Sequence, residues 1–365
     1  MAKIKFILVG VRATESDALG GVGTLSNALI DYANREGYKV SIVDTSKKPF
    51  SKKNFFRDIR GGLTRIYQLV VILFNEKYNG IIILSGAGWG FYERILMSAI
   101  CRIASLPCIL IIVDGWFFSI RGKCFVTRWW ISQLLKIPTS LVASGSNWKI
   151  LFSELGVKDS RIVTIHYWLP KSFPVSLKPK MLSANEFPKF IFVGWMIKEK
   201  GVREILAALD SLIDEYSFTF TFVGAGPMLD YVIESIRNSK WESRVFAKGW
   251  LSNQQKEMEL STSHVFILPS YAEGFPMSLI EALSFGLPAI CSDVGGISDS
   301  LHDGENGFLI PPKNIPALKE AMEFYIKNPN ILIKHSLKSL EVVRGNHEVE
   351  MNCKKLFDTL LMSRD

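Results

Sequence analysis

At 365 residues the chain exceeds one ordinary core, and about 100–200 residues per domain divides it into two. A composition 48% apolar and 21% charged, without a low-complexity run, excludes a disordered or fibrous chain. The net charge of +8 is unevenly placed: residues 1–180 carry 25 Lys and Arg against 11 Asp and Glu, residues 181–365 carry 18 against 24.

The opening residues lack the parts of a secretory signal, because the apolar run 6–9 is only a strand's length. Apolar runs at 4–9, 39–44, 80–84, 108–113, 140–143 and 161–166 read as strands separated by helical windows. The stretch 95–113 approaches the roughly 20 residues of a membrane span. Arg102 and Pro107 interrupt it, so a buried helix followed by a buried strand is expected. Three prolines between 169 and 180 mark a linker over 169–188. Strand-like runs then resume at 190–193, 218–223, 245–248, 264–268, 289–291 and 307–310, and helical windows at 316–327, 331–343 and 348–361 close the chain. The expected fold class is α/β: two doubly wound parallel sheets, 1–168 and 189–345, facing a cleft at the carboxyl ends of their strands. A terminal helix in 346–365 is expected to cross back to the first domain. The five cysteines, Cys101, Cys108, Cys124, Cys291 and Cys353, show no C-x-x-C pair and no zinc-spaced histidine, which points to a reducing cytosol and no metal site.

The densest motif is SYAEGFPMSLIEA over 270–282, where an apolar strand runs into a helix beginning near Pro276. Such a junction aims helix N–H groups and the positive end of the helix dipole at a bound diphosphate. Glu273 in the loop and Glu281 in the helix suit sugar and ribose hydroxyls; a helix cap plus a solvated helix glutamate fits the same two residues. Upstream, Gly194 and Lys200–Gly201 follow one strand, Gly224 and Gly226–Pro227 another, and Gly249–Trp250–Leu251 a third. Lysine there meets phosphate as a point charge. Gly295–Gly296 and Asn306–Gly307 are tight turns downstream.

With V-G-x5-K-G, F-V-G-x-G-P, L-P-S-Y-A-E-G-F, the E-x7-E pair, G-x-P, G-G and N-G in that order, residues 190–312 resemble the family 4 glycosyltransferases of the GT-B fold. In the N-terminal half the resemblance rests on Gly20, Gly21 and Gly23 and on Ser144 to Asn147. It implies that Lys200 contacts the phosphates of a nucleotide-diphosphate sugar, Glu273 holds the transferred sugar and Glu281 the ribose. It further implies that backbone amides of Gly274, Phe275, Pro276, Met277, Ser278 and Leu279 neighbour the sugar and diphosphate, proline contributing position alone. Gly194 and Gly224 shape the site, Gly249, Trp250 and Leu251 border the base, and Gly20 to Gly23 close over the phosphates. Two positions depart from the pattern. Trp195 stands where the family commonly has arginine, so either Lys198 supplies that charge or the donor is held differently. Asp114 stands where a histidine often lines the reaction centre; it suits a sugar hydroxyl, or a backbone-capping role in its loop.

No D-x-D pair is present to chelate a metal diphosphate, so metal independence is expected. The family resemblance implies a cofactor-free hexosyl transfer with retention. A nicotinamide oxidoreductase competes through Gly20–Gly23 and Asp44, but the long loop 10–19 and the missing G-x-G-x-x-G spacing oppose it. A sugar-binding protein without turnover is the other alternative. Cations interleaved with aromatics (Lys52, Lys53 and Arg57; Trp116, Arg121, Lys123 and Arg128) suit an anionic membrane surface, or a solvated loop with aromatic anchors. A saccharide or polyprenyl-linked saccharide acceptor at the cytoplasmic membrane face is therefore expected, in surface-polysaccharide assembly. Nucleic acid is not, since no nucleic-acid module accompanies the charge.

Overall fold

A computed structural model describes residues 4–12, 20–46, 55–183 and 186–363, with the backbone alone at 55–57. The chain divides into two compact units, Met1–Ser172 with His347–Asp365, and Phe173–Asn346.

The first unit alternates β1 (Lys5–Gly10), α1 (Gly21–Arg35), β2 (Lys39–Asp44), α2 (Phe55–Asn75), β3 (Gly80–Ser85), α3 (Trp89–Ile103), β4 (Cys108–Ile112), α4 (Phe125–Leu135), β5 (Ser140–Ala143), α5 (Ser146–Glu154) and β6 (Ile162–Thr164). Its six strands are parallel, in the order β2-β1-β3-β4-β5-β6. Continuous apolar strands such as Ile81 to Leu84 are buried on both faces, as parallel strands require. From β2 onward every crossover runs in one direction along the sheet, so right-handed connections set α2, α3, α4 and α5 on one face, opposite α1. One core joins them: Ile7, Val9, Ile83 and Leu110 of the sheet pack with Leu69, Phe91, Ile131 and Trp148 of those helices. The last helix, α12 (Val349–Met362), belongs to this unit. Phe357 lies 4.7 Å from the Phe6 ring, 5.8 Å from Tyr32 and 5.3 Å from Tyr38, which pins the chain's end beside α1.

The second unit holds β7 (Lys189–Val193), α6 (Val202–Leu212), β8 (Thr219–Val223), α7 (Leu229–Arg237), β9 (Val245–Ala247), α8 (Asn253–Thr262), β10 (Val265–Leu268), α9 (Met277–Ser284), β11 (Ala289–Ser292), β12 (Gly307–Ile310), α10 (Ile315–Lys327) and α11 (Ile331–Asn346). Its strands are also all parallel, ordered β12-β11-β10-β7-β8-β9. Order reverses between β7 and β10, the kind of switch point where open sheets bind ligands. The segment 173–183 lies on this unit: the Ser176 N–H donates to the Ser284 carbonyl at 2.8 Å and the Lys180 N–H to Ser336 Oγ at 2.7 Å.

Candidate active site

The loops leaving β10, β7, β8 and β9 lie side by side at the carboxyl edge of the second sheet and are joined backbone to backbone. The Gly194 N–H donates to the Val223 carbonyl at 3.0 Å, Met196 to Ala225 at 2.8 Å and Gly224 to Gly249 at 2.8 Å. Gly224 has φ +139°, and a Cβ there would stand 1.9 Å from the Gly194 carbonyl oxygen. Only glycine fits that approach.

Two buried carboxylates flank the start of α9. Glu273 is 7% exposed, and its Oε1 accepts from Lys200 Nζ at 2.5 Å and from Ser270 Oγ at 2.6 Å. Its backbone is supported from behind by Gly295, whose added Cβ would meet the Glu273 carbonyl oxygen at 2.1 Å, and by the Gly296 N–H, which donates to the Gly274 carbonyl at 3.0 Å. The Tyr271 N–H donates to the Glu199 carbonyl at 2.7 Å, tying the Glu273 loop to the turn that carries Lys198 and Lys200. Glu281, on α9, is buried and accepts from Lys256 Nζ of α8 at 2.7 Å. Breaking a fully buried pair by removing one partner costs about 3–5 kcal/mol, so both carboxylates are held firmly even with each lysine partly open to solvent.

Between the two, Pro276 caps α9 and the Leu279 N–H turns back to the Pro276 carbonyl at 3.1 Å. Gly274, Phe275, Pro276, Met277 and Leu279 are buried and Ser278 is half-buried. A cation, two anchored hydrogen-bond acceptors and a helix N-terminus thus share one sheet edge, groups able to meet an anion and hydroxyl donors. Lys198 is exposed on the turn before Lys200. Trp195 packs against Trp250, ring centroids 5.8 Å apart at 44°, where the loops after β7 and β9 meet; Gly249 beside it has open space around its Cβ position and Leu251 is half-buried.

In the first unit Gly20 caps α1, Gly21 opens the helix, and the Gly23 N–H donates to the Gly20 carbonyl at 2.8 Å; residues 13–19 of the preceding loop lie outside the described residues. Asp114 gives one oxygen to the Trp116 N–H at 2.8 Å and the other to the Ala87 N–H at 3.3 Å, joining the loops after β4 and β3. Asp44, the acid on which a dinucleotide reading depends, accepts from the Arg12 N–H at 3.1 Å and Ser46 Oγ at 2.6 Å in its own loops. Trp116 and Lys123 are exposed, Arg128 is half-buried, and Arg121 Nε donates to Glu154 at 2.8 Å. Lys52 and Lys53 lie outside the described residues, as does the side chain of Arg57. Among the described residues no group of three His, Cys, Asp or Glu stands close enough to hold a metal ion.

Sequence reasoning missed Lys256, the partnership of Ser270 with Glu273, and the Trp195–Trp250 contact. Ser270 sits inside the motif, three residues before its partner. Lys256 is 25 residues from Glu281 and carries no local signal; the β9–α8–β10 connection alone brings it there.

The family model of glycosyl transferases group 1 matches residues 176–338. A putative teichuronic acid biosynthesis glycosyltransferase of Bacillus subtilis is 38% identical over 135 residues, 37% of this chain and 32% of that protein, so the match spans about a third of its length. A UDP-Gal:alpha-D-GlcNAc-diphosphoundecaprenol alpha-1,3-galactosyltransferase of Escherichia coli is 28% identical over 300 residues, 77% of this chain and 75% of that one. The solved sucrose-phosphate synthase of Thermosynechococcus elongatus superposes with a TM-score of 0.80 at 15% identity, covering 99% of this chain and all of the other, a likeness of fold. Residues 176–338 are thus similar to the group 1 glycosyltransferases, and the chain has the GT-B fold.

Proposed function

We propose that the protein transfers a hexose-type sugar from a nucleotide-diphosphate sugar to a saccharide or lipid-linked saccharide acceptor, in surface-polysaccharide assembly at the cytoplasmic membrane face. The observation that carries this reading is the Lys200–Glu273–Ser270 cluster beside the first turn of α9, with Glu281 and Lys256 on its other side. In the reading, Lys200 and the amides of α9 meet the diphosphate, Glu273 accepts from hydroxyls of the transferred sugar and Glu281 from the ribose. The named specificity of the E. coli relative for UDP-Gal and a diphosphoundecaprenol acceptor supports a uridine nucleotide and a lipid-linked acceptor.

Transfer breaks the bond between the anomeric carbon and the diphosphate oxygen and forms the new glycosidic bond on the same face, with retention. The acceptor hydroxyl gives its proton to the departing phosphate oxygen. Developing negative charge there is met by Lys200 and the helix terminus, so the reading requires no divalent cation and predicts an unchanged rate in EDTA.

A screen of nucleotide sugars that reads released nucleoside diphosphate tests the proposal. Glu273→Gln keeps the side-chain size and should lower transfer about 100-fold, on the scale of losing one transition-state contact. Full activity of that variant, or donor binding without turnover across the screen, rejects the reading.

A further inference from the structure

The helices on one face of the first sheet expose a second apolar stripe besides the one they bury. On α2, Leu69 points into the core, whereas Leu63, Tyr67 and Phe74 recur on the solvent side at spacings of four and seven residues, with Phe74 87% exposed. On α3, Phe91 and Ile95 are buried while Trp89, Leu96 and Ile103 face outward. On α4, Ile131 and Leu135 are buried, and Phe125 and Trp130 are exposed, Phe125 by 80%. The right-handed crossovers place all three helices on the same side of the sheet. α1, on the opposite face, exposes no large apolar side chain.

Charge in this part of the chain is mainly positive. Residues 58–136 contain nine Lys and Arg against four Asp and Glu. Three of the four acids are engaged, Glu76 with Lys5 and Lys39, Glu93 with Arg65 and Arg94, and Asp114 with backbone amides, and Arg121 pairs with Glu154, which leaves Arg60, Lys77, Arg102, Lys123, Arg128 and Lys136 outside these ion pairs. Arg60 on α2, Arg102 on α3 and Lys123 just before α4 are exposed. Rings that sit at a head-group boundary and cations that meet lipid phosphate are the two features of an interfacial surface. A second copy of this chain fits worse, because an isologous contact sets the same cationic rim against itself. No described helix is long and apolar enough to cross a membrane, so contact would be in the plane of the surface.

We propose that the outer face of α2, α3 and α4 docks on an anionic lipid bilayer. Its role in bringing the site to an acceptor rests on the lipid-linked acceptor of the proposed function, but docking itself is independent of turnover. The full chain is sedimented with vesicles of phosphatidylglycerol and phosphatidylethanolamine, or of phosphatidylcholine alone, across salt concentrations. Binding to the anionic vesicles should exceed binding to phosphatidylcholine at least tenfold, and Phe74→Glu with Phe125→Glu should lower it at least tenfold at an unchanged melting temperature. If the glutamate pair misfolds, Phe74→Ser with Phe125→Ser carries the same expectation. Unaltered vesicle binding by a folded variant overturns the proposal; so does a concentration-dependent dimer, abolished by the substitutions, with no vesicle binding in either protein. Donor turnover measured with a water-soluble acceptor separates a failure of docking from a failure of the proposed activity.

Discussion

The two units share one parallel-sheet plan, yet their strand-end loops are built differently. In the second unit the loops rest directly on one another's backbone: Gly224 and Gly295 have positive φ, and a methyl group at either would strike a carbonyl oxygen within about 2 Å. In the first unit Gly88, after β3, and Gly37, in the turn from α1 into β2, also have positive φ, but nothing lies within 4 Å of their Cβ positions, as at Gly249 of the second unit. The second unit therefore presents a fixed cradle whose buried carboxylates are held before any ligand arrives. The first keeps room at its turns and invests its unusual chemistry in an exposed, cationic and aromatic helix face. In the proposed reading, one surface serves a defined small molecule and the other a broad partner.

The contrast is most easily broken with methyl groups. Gly224→Ala should cost at least about 3 kcal/mol, combining a disfavoured φ with a backbone clash, and should appear as a lowered urea midpoint. Gly37→Ala, with the same sign of φ and open space, should cost only about 1–2 kcal/mol. Equal costs would mean that the second unit's loops are not pressed together.

Acid should then weaken each unit through a buried histidine. Burial pulls His347 of the first unit, whose ring nitrogen bonds the Tyr167 carbonyl, down to about 4, and burial does the same to His264 of the second. A histidine depressed in the fold binds its proton more readily in the unfolded chain. Stability is thus full above the unfolded value near 6.5 and falls as pH drops toward 4, by about 3 kcal/mol for His347. His347→Asn should flatten that slope in urea titrations between pH 7 and 4; an unchanged slope would remove His347 as its source.

A smaller effect is expected at Lys256, which anchors Glu281 from outside the motif at 270–282. Lys256→Met should weaken nucleotide binding about fivefold by calorimetry while leaving the transferred sugar's contribution intact. A change confined to the sugar would reassign Glu281.

These differences also explain what the sequence made legible. The twelve described strands were readable, the central ones because parallel strands buried on both faces are short continuous apolar runs, as at Ile81 to Leu84, and part-buried edge strands such as β2 and β9 because apolar residues still recur in them. Gly224, Glu273 and Glu281 stood out because close backbone packing and a strand-to-helix junction impose residue types at fixed spacing. Lys256 did not, since only the fold brings it to Glu281. Nor did the second stripe of α2 and α3: apolar periodicity marks a helix with an inward face, and Leu63 or Trp89 reads as core until the side it occupies is known. Asp114 was ambiguous for the opposite reason, because a loop carboxylate suits a ligand and a backbone cap equally well, and here it bonds Trp116 and Ala87.

The central claim is that an activated sugar binds at the start of α9, between the two anchored glutamates. A crystal of the protein soaked with a uridine diphosphate sugar tests it most directly. The account predicts the diphosphate within hydrogen-bond distance of Lys200 Nζ and the first turn of α9, with Glu281 at the ribose and Glu273 at the sugar. A nucleotide bound at any other edge of either sheet, with Lys200 still closed on Glu273, would contradict it.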